Sequence, residues 1–423
     1  MKDSFRKTSP LSLKANMLWN SVGSTVYLGF QWLITIAVVR LSDGYDAAGA
    51  LALGMAVSNI FSPIGQYKVR AYQVSDVEGE FSLGQYIGLR VITCVIALIV
   101  MVVYGLATCP VDSLSVVYLY GIYSFGPIVV DVLHGEDQRQ GRMDVIGKSL
   151  IQRGIISFFS FCMVFALSSS LDFALIAMCV TTFSVIAFYD CPRTRRIAGS
   201  LKPDMNLHTI RCMLQKFLPA VVALLFCSAV PTIPRQILGM VSGSEVLGVY
   251  SSVAAPVLII QMGAQYVYAP MLTQFAKLYA GGNVSGFWRL FAKLSVAVLG
   301  IAIAGILFFL IFGEQLLLLL YSASIVPYTY TLPPLVVCTV ITAYIWFIGD
   351  LFIAVRDLRG NLKMFSVSIA ICCFSMVPLV EKFGMNGVSY CIIISFGLAV
   401  AIMLPRLRNS ASSKYVSKMR ESE

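Results

Sequence analysis

Residues 230–250 read VPTIPRQILGMVSGSEVLGVY: a long apolar run closes on two prolines, an arginine follows the second of them, and a Gly/Ser-rich turn leads into the next apolar run. A run, a break, a turn and another run is the pattern of a chain that crosses a bilayer and comes back. Why a cation, Arg235, stands at the break depends on what surrounds it.

Of the 423 residues 58% are hydrophobic and 12% charged, with a mean hydropathy of +0.82. A soluble domain must cover itself with polar groups, and this composition cannot. Apolar runs of about 20 residues cross roughly 30 Å of hydrocarbon as helices. Twelve are expected, over 17–39, 47–65, 86–108, 114–133, 149–167, 172–190, 217–234, 248–272, 294–312, 331–349, 364–380 and 384–404. The short loops leave no room for a separate soluble domain, so function must sit among the helices. The opening, MKDSFRKTSPLSLKANMLWN, runs into an apolar stretch too long for a signal-peptide core and shows no small-residue cleavage site, so the first helix is expected to be retained.

Lys and Arg set the orientation. When tails and loops alternate sides, 26 of the 31 basic residues fall on the side of the N-terminus, including Lys68 and Arg70 after helix two and the long basic loop 191–216. The opposite side holds Arg40, Arg235 and Lys382, while Arg90 and Arg153 sit at or inside helix boundaries. The bias implies an even number of helices and cytoplasmic termini. It accounts for the net charge of +10 without a nucleic-acid partner.

Most enzyme chemistry lacks its residues here. The 11 Cys lie mostly within apolar runs, with no Cys-x-x-Cys or Cys/His ligand spacing, and read as small buried hydrophobes. His134 and His208 have no serine elbow, phosphate-binding loop or zinc motif near them. No catalytic residue, metal site or cofactor is expected, and coupling to protons or sodium stays open.

Sliding the sequence by 199 residues sets Asp46 on Glu245, Gly49 on Gly248, Ile60 on Ile259, Gln66 on Gln265, Tyr67 on Tyr266 and Arg90 on Arg289, and the helix boundaries coincide. Two six-helix lobes, 1–200 and 201–423, follow as a parallel repeat. Polar residues inside such helices should line a path. In helix one Asn16, Asn20, Ser24, Tyr27 and Gln31 recur every three or four residues and share a face; helix two carries Asn59, Ser62 and Gln66, and helix eight Gln261, Gln265 and Tyr268. Each can equally serve as interhelical glue.

The helix NMLWNSVGSTVYLGFQWLITIAVVR, the RQILGMVSGSEVLGVY turn and the PMLTQFAKLYAGGNVSGFWRLFAK segment resemble the polysaccharide transporters, the Wzx-type lipid-linked oligosaccharide flippases of the multidrug/oligosaccharidyl-lipid/polysaccharide exporter superfamily. The resemblance covers essentially the whole chain. It implies an all-α, twelve-helix membrane protein whose two six-helix lobes form a V. It further implies alternating access that moves undecaprenyl-diphosphate-linked repeat units from the cytoplasmic to the periplasmic leaflet for O-antigen, capsule or exopolysaccharide assembly, alongside polymerase and chain-length proteins of the same pathway. A wet cavity would supply hydrogen-bond partners that hydrocarbon cannot.

The candidate lining is Arg40, Arg235, Asn20, Tyr27, Gln31, Asn59, Gln66, Gln261 and Gln265, with Arg90, Asp131 and Arg153 as internal or coupling charges. Arg235 is expected to end helix seven as Arg40 ends helix one, either as anchors that snorkel to external headgroups or pair with Glu245 and Asp46, or with their guanidinium forks holding diphosphate or acidic sugars at the external cleft. Two rivals remain. A cation-coupled multidrug antiporter of the same fold would need acids at mid-depth, for which Asp131 is the nearest candidate. A polysaccharide polymerase or glycosyltransferase would need extended external loops, whereas the longest, 313–330, carries one charge, Glu314.

Overall fold

Ser12 opens the first helix, its hydroxyl accepting from the Ala15 N–H at 3.3 Å, and α1 (Leu13–Arg40) then runs unbroken to its arginine. The molecule is a computed structural model that describes residues 11–76, 79–268, 271–321 and 323–422, so Lys2, Arg6 and Lys7 of the basic opening lie outside it, as do the side chains of Lys414, Lys418 and Arg420. Twelve helical stretches among the described residues are long and apolar enough to cross a membrane. The protein is a multi-pass, all-α membrane protein.

The chain divides into two compact units, Met1–Val221 and Val222–Glu423. The first holds α1, α2 (Asp46–Gln66), α3 (Val69–Ser75), α4 (Leu83–Thr108), α5 (Leu114–Arg139), α6 (Met143–Ser168), α7 (Leu171–Val185) and, after a π-helical stretch at Ile186–Asp190, α8 (Cys191–Ala198). α9 (Leu207–Ala229) starts in the first unit and ends in the second. The second unit continues with α10 (Ile233–Ser242), α11 (Ser244–Tyr268), α12 (Leu272–Ala280), α13 (Val284–Leu320), α14 (Leu332–Ala354), α15 (Leu358–Phe383) and α16 (Met385–Ser422).

Each unit has the same internal plan. α2 packs on α5 in the first as α11 packs on α14 in the second; α4 flanks that pair as α13 does; α6 lies on α7 as α15 lies on α16. The two paired cores, α2 with α5 and α11 with α14, belong to the spans that bury the largest shares of their residues. The outer faces of α4 and α13 are apolar and exposed, with Ile99, Val103 and Leu106 on one and Leu299, Leu310 and Ile311 on the other, as a lipid-facing surface requires. The 199-residue offset in the sequence therefore corresponds to a repeated packing order.

α1 and α6 approach with almost nothing between them. A Cβ on Gly23 would lie 2.6 Å from Gly147 Cα, so the contact is backbone against backbone. Small residues at such crossings let dispersion and weak hydrogen bonding hold helices together where no hydrophobic drive exists.

Four boundaries differ from the expectation. The division into units falls inside α9 rather than at 200/201, because Ile210, Met213 and Phe217 join a core with Tyr67, Leu89 and Val130, and Asp204 N–H donates to Gly84 O at 2.8 Å. The segment after α8 is therefore docked on the first unit. Span seven runs through Leu207–Ser242, not 217–234: the chain turns over 230–232 at Pro231, and α10, with Pro234 in its first turn, resumes the run, so Arg235 is inside the span and does not end it. Lys68 and Arg70 likewise belong to α3 and its lead-in, which extend span two, and not to a loop. Finally, 313–330 is no extended loop, since α13 continues to Leu320 and 3₁₀ turns fill Ala323–Thr331.

Candidate functional site

α2 closes at Gln66, and the next two residues both take left-handed backbone, Tyr67 at φ 44° and Lys68 at φ 54°. Two consecutive non-glycine residues there cost roughly 1–2 kcal/mol each. For Tyr67 the compensation is visible: its ring is buried and its hydroxyl donates to Leu214 O at 3.0 Å. The turn re-aims the chain so that Gln66, Lys68 and Arg70 face one cavity of about 400 Å³, whose other walls are Ala71, Val74, Asp131 and Gln138.

The α5 side of this cavity follows from helical spacing, since Asp131 and Gln138 are two turns apart on one face. Arg70 binds both: Nε and Nη2 donate to Gln138 Oε1 at 3.1 and 2.9 Å, and Nη1 to Asp131 Oδ1 at 3.2 Å. Behind the wall Arg90, 1% exposed, donates from Nη2 to Asp131 Oδ2 at 3.1 Å and from Nη1 to the Gly65 carbonyl, which also accepts from Thr93 Oγ1 at 3.0 Å. Asp131 is thus neutralised from both sides. Lys68 has no ion-pair partner among the described residues.

A second polar cluster lies deeper in the same unit. His134 Nε2 meets Asp190 Oδ1 at 3.2 Å, and Ser149 Oγ donates to Asp190 Oδ2 at 2.9 Å, all three buried. Asp190 closes the π-helical stretch, an irregularity frequent at functional sites. Thr194 Oγ1 donates to buried Asp137 Oδ2 at 3.0 Å. Arg153, 2% exposed, stacks over the Tyr27 ring at 5.4 Å, with Nε and Nη1 unpartnered among the described residues.

The α1 stripe is divided between roles. Asn16 is spent within the unit, its Nδ2 donating to Leu11 O at 3.2 Å and its Oδ1 accepting from Met143 N–H at 2.9 Å. Gln31 Nε2 donates to Tyr123 OH at 2.7 Å, and Tyr27 supports Arg153. These three knit α1 to α5 and α6 and read as interhelical glue, contrary to the expectation of a stripe facing water. Asn20 is half-buried, while Asn59 and Gln66 on α2 and Gln265 on α11 are exposed and Gln261 is half-buried. An exposed amide in the middle of a span is costly against lipid.

The expected arginine pair separates. Arg40 is exposed at the last turn of α1. Arg235 is half-buried on α10, its guanidinium 5.8 Å from the Tyr250 ring and its Nε unpartnered among the described residues. The repeat pair Arg90 and Arg289 diverges as well, one buried and paired, the other exposed. Of the candidates, Gln66, Arg90 and Asp131 come together, as do Tyr27 and Arg153. The sequence reading missed Lys68 as a site residue, and it missed the His134–Asp190 contact, although DVLHGEDQR (131–139) crowds acids and a histidine at the end of an apolar run.

The chain matches no family model. It is 23% identical over 376 residues to the capsular polysaccharide biosynthesis protein CapF of Staphylococcus aureus, covering 86% of this chain and 91% of that protein. Among solved structures it is similar to an inward-facing multidrug-resistance MATE transporter of the MOP superfamily, with a TM-score of 0.65 at 14% identity over 93% of this chain and 98% of that one. A MOP superfamily transporter from Pyrococcus furiosus superposes with a TM-score of 0.60 at 15% identity over 94% of each chain. The fold is therefore that of the MATE-type transporters.

Proposed function

We propose that this protein is a flippase that carries undecaprenyl-diphosphate-linked oligosaccharide repeat units from the cytoplasmic to the outer leaflet of a bacterial inner membrane, by alternating access of its two units, with both termini cytoplasmic. The observation that carries the reading is the cavity of the first unit. Within a transporter fold it gathers Lys68, Arg70 and two glutamine amides around a single carboxylate that two arginines already neutralise. A multidrug antiporter for cations needs a carboxylate free to release its ion, and Asp131 is tied on both oxygens. Similarity to a capsular polysaccharide biosynthesis protein supports a saccharide pathway.

The physical problem of such cargo is to move a diphosphate and many hydroxyls through a medium that cannot hydrogen-bond them, where each unsatisfied group costs several kcal/mol, about 4–8 on a hydrocarbon scale. Exposed amides, Asn59 at mid-span on α2 and Gln265 near the end of α11, supply partners for sugar hydroxyls while a lipid tail stays in the bilayer. Deleting the gene and assaying lipid-linked intermediates tests the proposal. Accumulation of repeat units on their carrier with loss of surface polysaccharide is expected; unchanged polysaccharide with altered drug export would replace the flippase by the antiporter.

A further inference from the structure

The cavity beneath the α2–α3 break offers more donors and more positive charge than its own walls use. Around it stand Lys68, Arg70 and, behind the wall, Arg90, against one carboxylate, Asp131, whose two oxygens go to the two arginines. Lys68 is left without a counter-ion among the described residues. Gln138 accepts from Arg70 twice through Oε1, so its Nε2 keeps two unused donors, and the Gln66 amide is exposed at the rim. A half-buried ammonium, a fixed guanidinium and two amides converge on a space whose one carboxylate is already taken up by the arginines. This combination is complementary to an oxyanion.

Three further features narrow the ligand. At about 400 Å³ the cavity lies at the small end of ligand pockets, a size that suits a headgroup. The backbone spends strain at Lys68, φ 54°, to bring the ammonium there. The matching position of the repeat, 199 residues on, is Val267, so the cation belongs to the first unit alone. We infer that this cavity is a binding site for a phosphate or diphosphate ester headgroup, held by Lys68 and Arg70 with Gln66 and Gln138 donating to its oxygens. The inference rests on the flippase reading only for the source of the phosphate, which is the carrier-lipid diphosphate on that reading and an ordinary anionic phospholipid otherwise.

The test uses the full chain in nanodiscs of zwitterionic lipid, with inorganic pyrophosphate as probe and binding followed by calorimetry. Saturable binding is expected, weakened at least about tenfold by Lys68→Gln, lost in Lys68→Glu and unchanged in Lys363→Gln, an exposed cation on α15 of the second unit. Because Lys68 makes no ion pair among the described residues, Lys68→Gln should keep the thermal midpoint of the unaltered protein, and Arg70→Lys, which keeps charge but loses the fork, should bind with intermediate affinity. Absence of saturable binding, or equal affinity in Lys68→Gln, overturns the site. Competition then separates the sources: displacement by nanodiscs containing a polyprenyl diphosphate but not by those containing phosphatidylglycerol assigns the carrier lipid, and the reverse assigns bulk lipid, both with the site standing. Pyrophosphate binding at Lys68 together with no accumulation of lipid-linked repeat units in the deletion strain would refute the flippase and leave the anion site intact.

Discussion

Arg90 and Asp131 form one ion pair, yet removing its two halves should have unequal consequences. Asp131→Ala strands a guanidinium that is 1% exposed, leaving it only the Gly65 carbonyl inside a membrane span. Breaking a buried pair in this way costs about 3–5 kcal/mol. Arg90→Met leaves less behind. Asp131 is 25% exposed and keeps Arg70 at 3.2 Å, and Gly65 O keeps Thr93 at 3.0 Å, so the cost should be about 1–2 kcal/mol, that of one charge-assisted hydrogen bond partly offset by the desolvation no longer incurred. The double variant removes the stranded charge and should recover at least about 1 kcal/mol relative to Asp131→Ala alone, a strongly non-additive cycle. Equilibrium unfolding in mixed detergent and SDS micelles measures all four proteins. Equal costs for the two single variants, or a double variant at the sum of the singles, would show that the charge pair is not what holds α4 to α5.

The second prediction concerns acid. Arg406 holds the Asp357 carboxyl down to about 2 through two donors at 2.9 Å each, helped by Ser410 Oγ and Gly360 N–H. The folded value lies below the unfolded one of about 3.9, so the stabilisation is complete above about pH 4 and is lost as pH falls through about 2. Discounted for partial exposure it amounts to about 1–2 kcal/mol, and Asp357→Asn should flatten the thermal midpoint against pH across that window. Third, Gly147→Leu should push α1 off α6, costing about 1–3 kcal/mol and lowering the thermal midpoint, since the Cα atoms of this crossing have no side chain between them; an unchanged midpoint would contradict the backbone contact. Fourth, cysteines placed at Gln66 and Gln265 should react with a membrane-impermeant thiol reagent, whereas one at Gln31, half-buried against Tyr123, should react more slowly. Equal labelling of all three would restore the reading of α1 as a water-facing stripe.

Twelve spans were legible because hydrocarbon demands long apolar helices and tolerates little else, so composition alone sets their number and periodic loops set their order. The repeat was legible too, since helix lengths and a few identities, Gln66 with Gln265 among them, survive in one dimension. Polar character at Asn16 and Gln31 was equally plain, but not its use. Whether an amide faces water or a tyrosine hydroxyl is fixed by which helix lies across from it, and the sequence does not say that Tyr123 does. The same holds for Arg235, whose place inside the span depends on α10 resuming after the proline turn. The anion-binding arrangement needed three elements at once: a left-handed turn to aim Lys68, a two-turn spacing on α5 to present Asp131 and Gln138, and Arg90 reaching from α4 to cancel the acid. Local pattern determines helices because their hydrogen bonds close within a few residues. Charge balance at a site is decided by groups up to 63 positions apart, such as Lys68 and Asp131, and only packing brings those together.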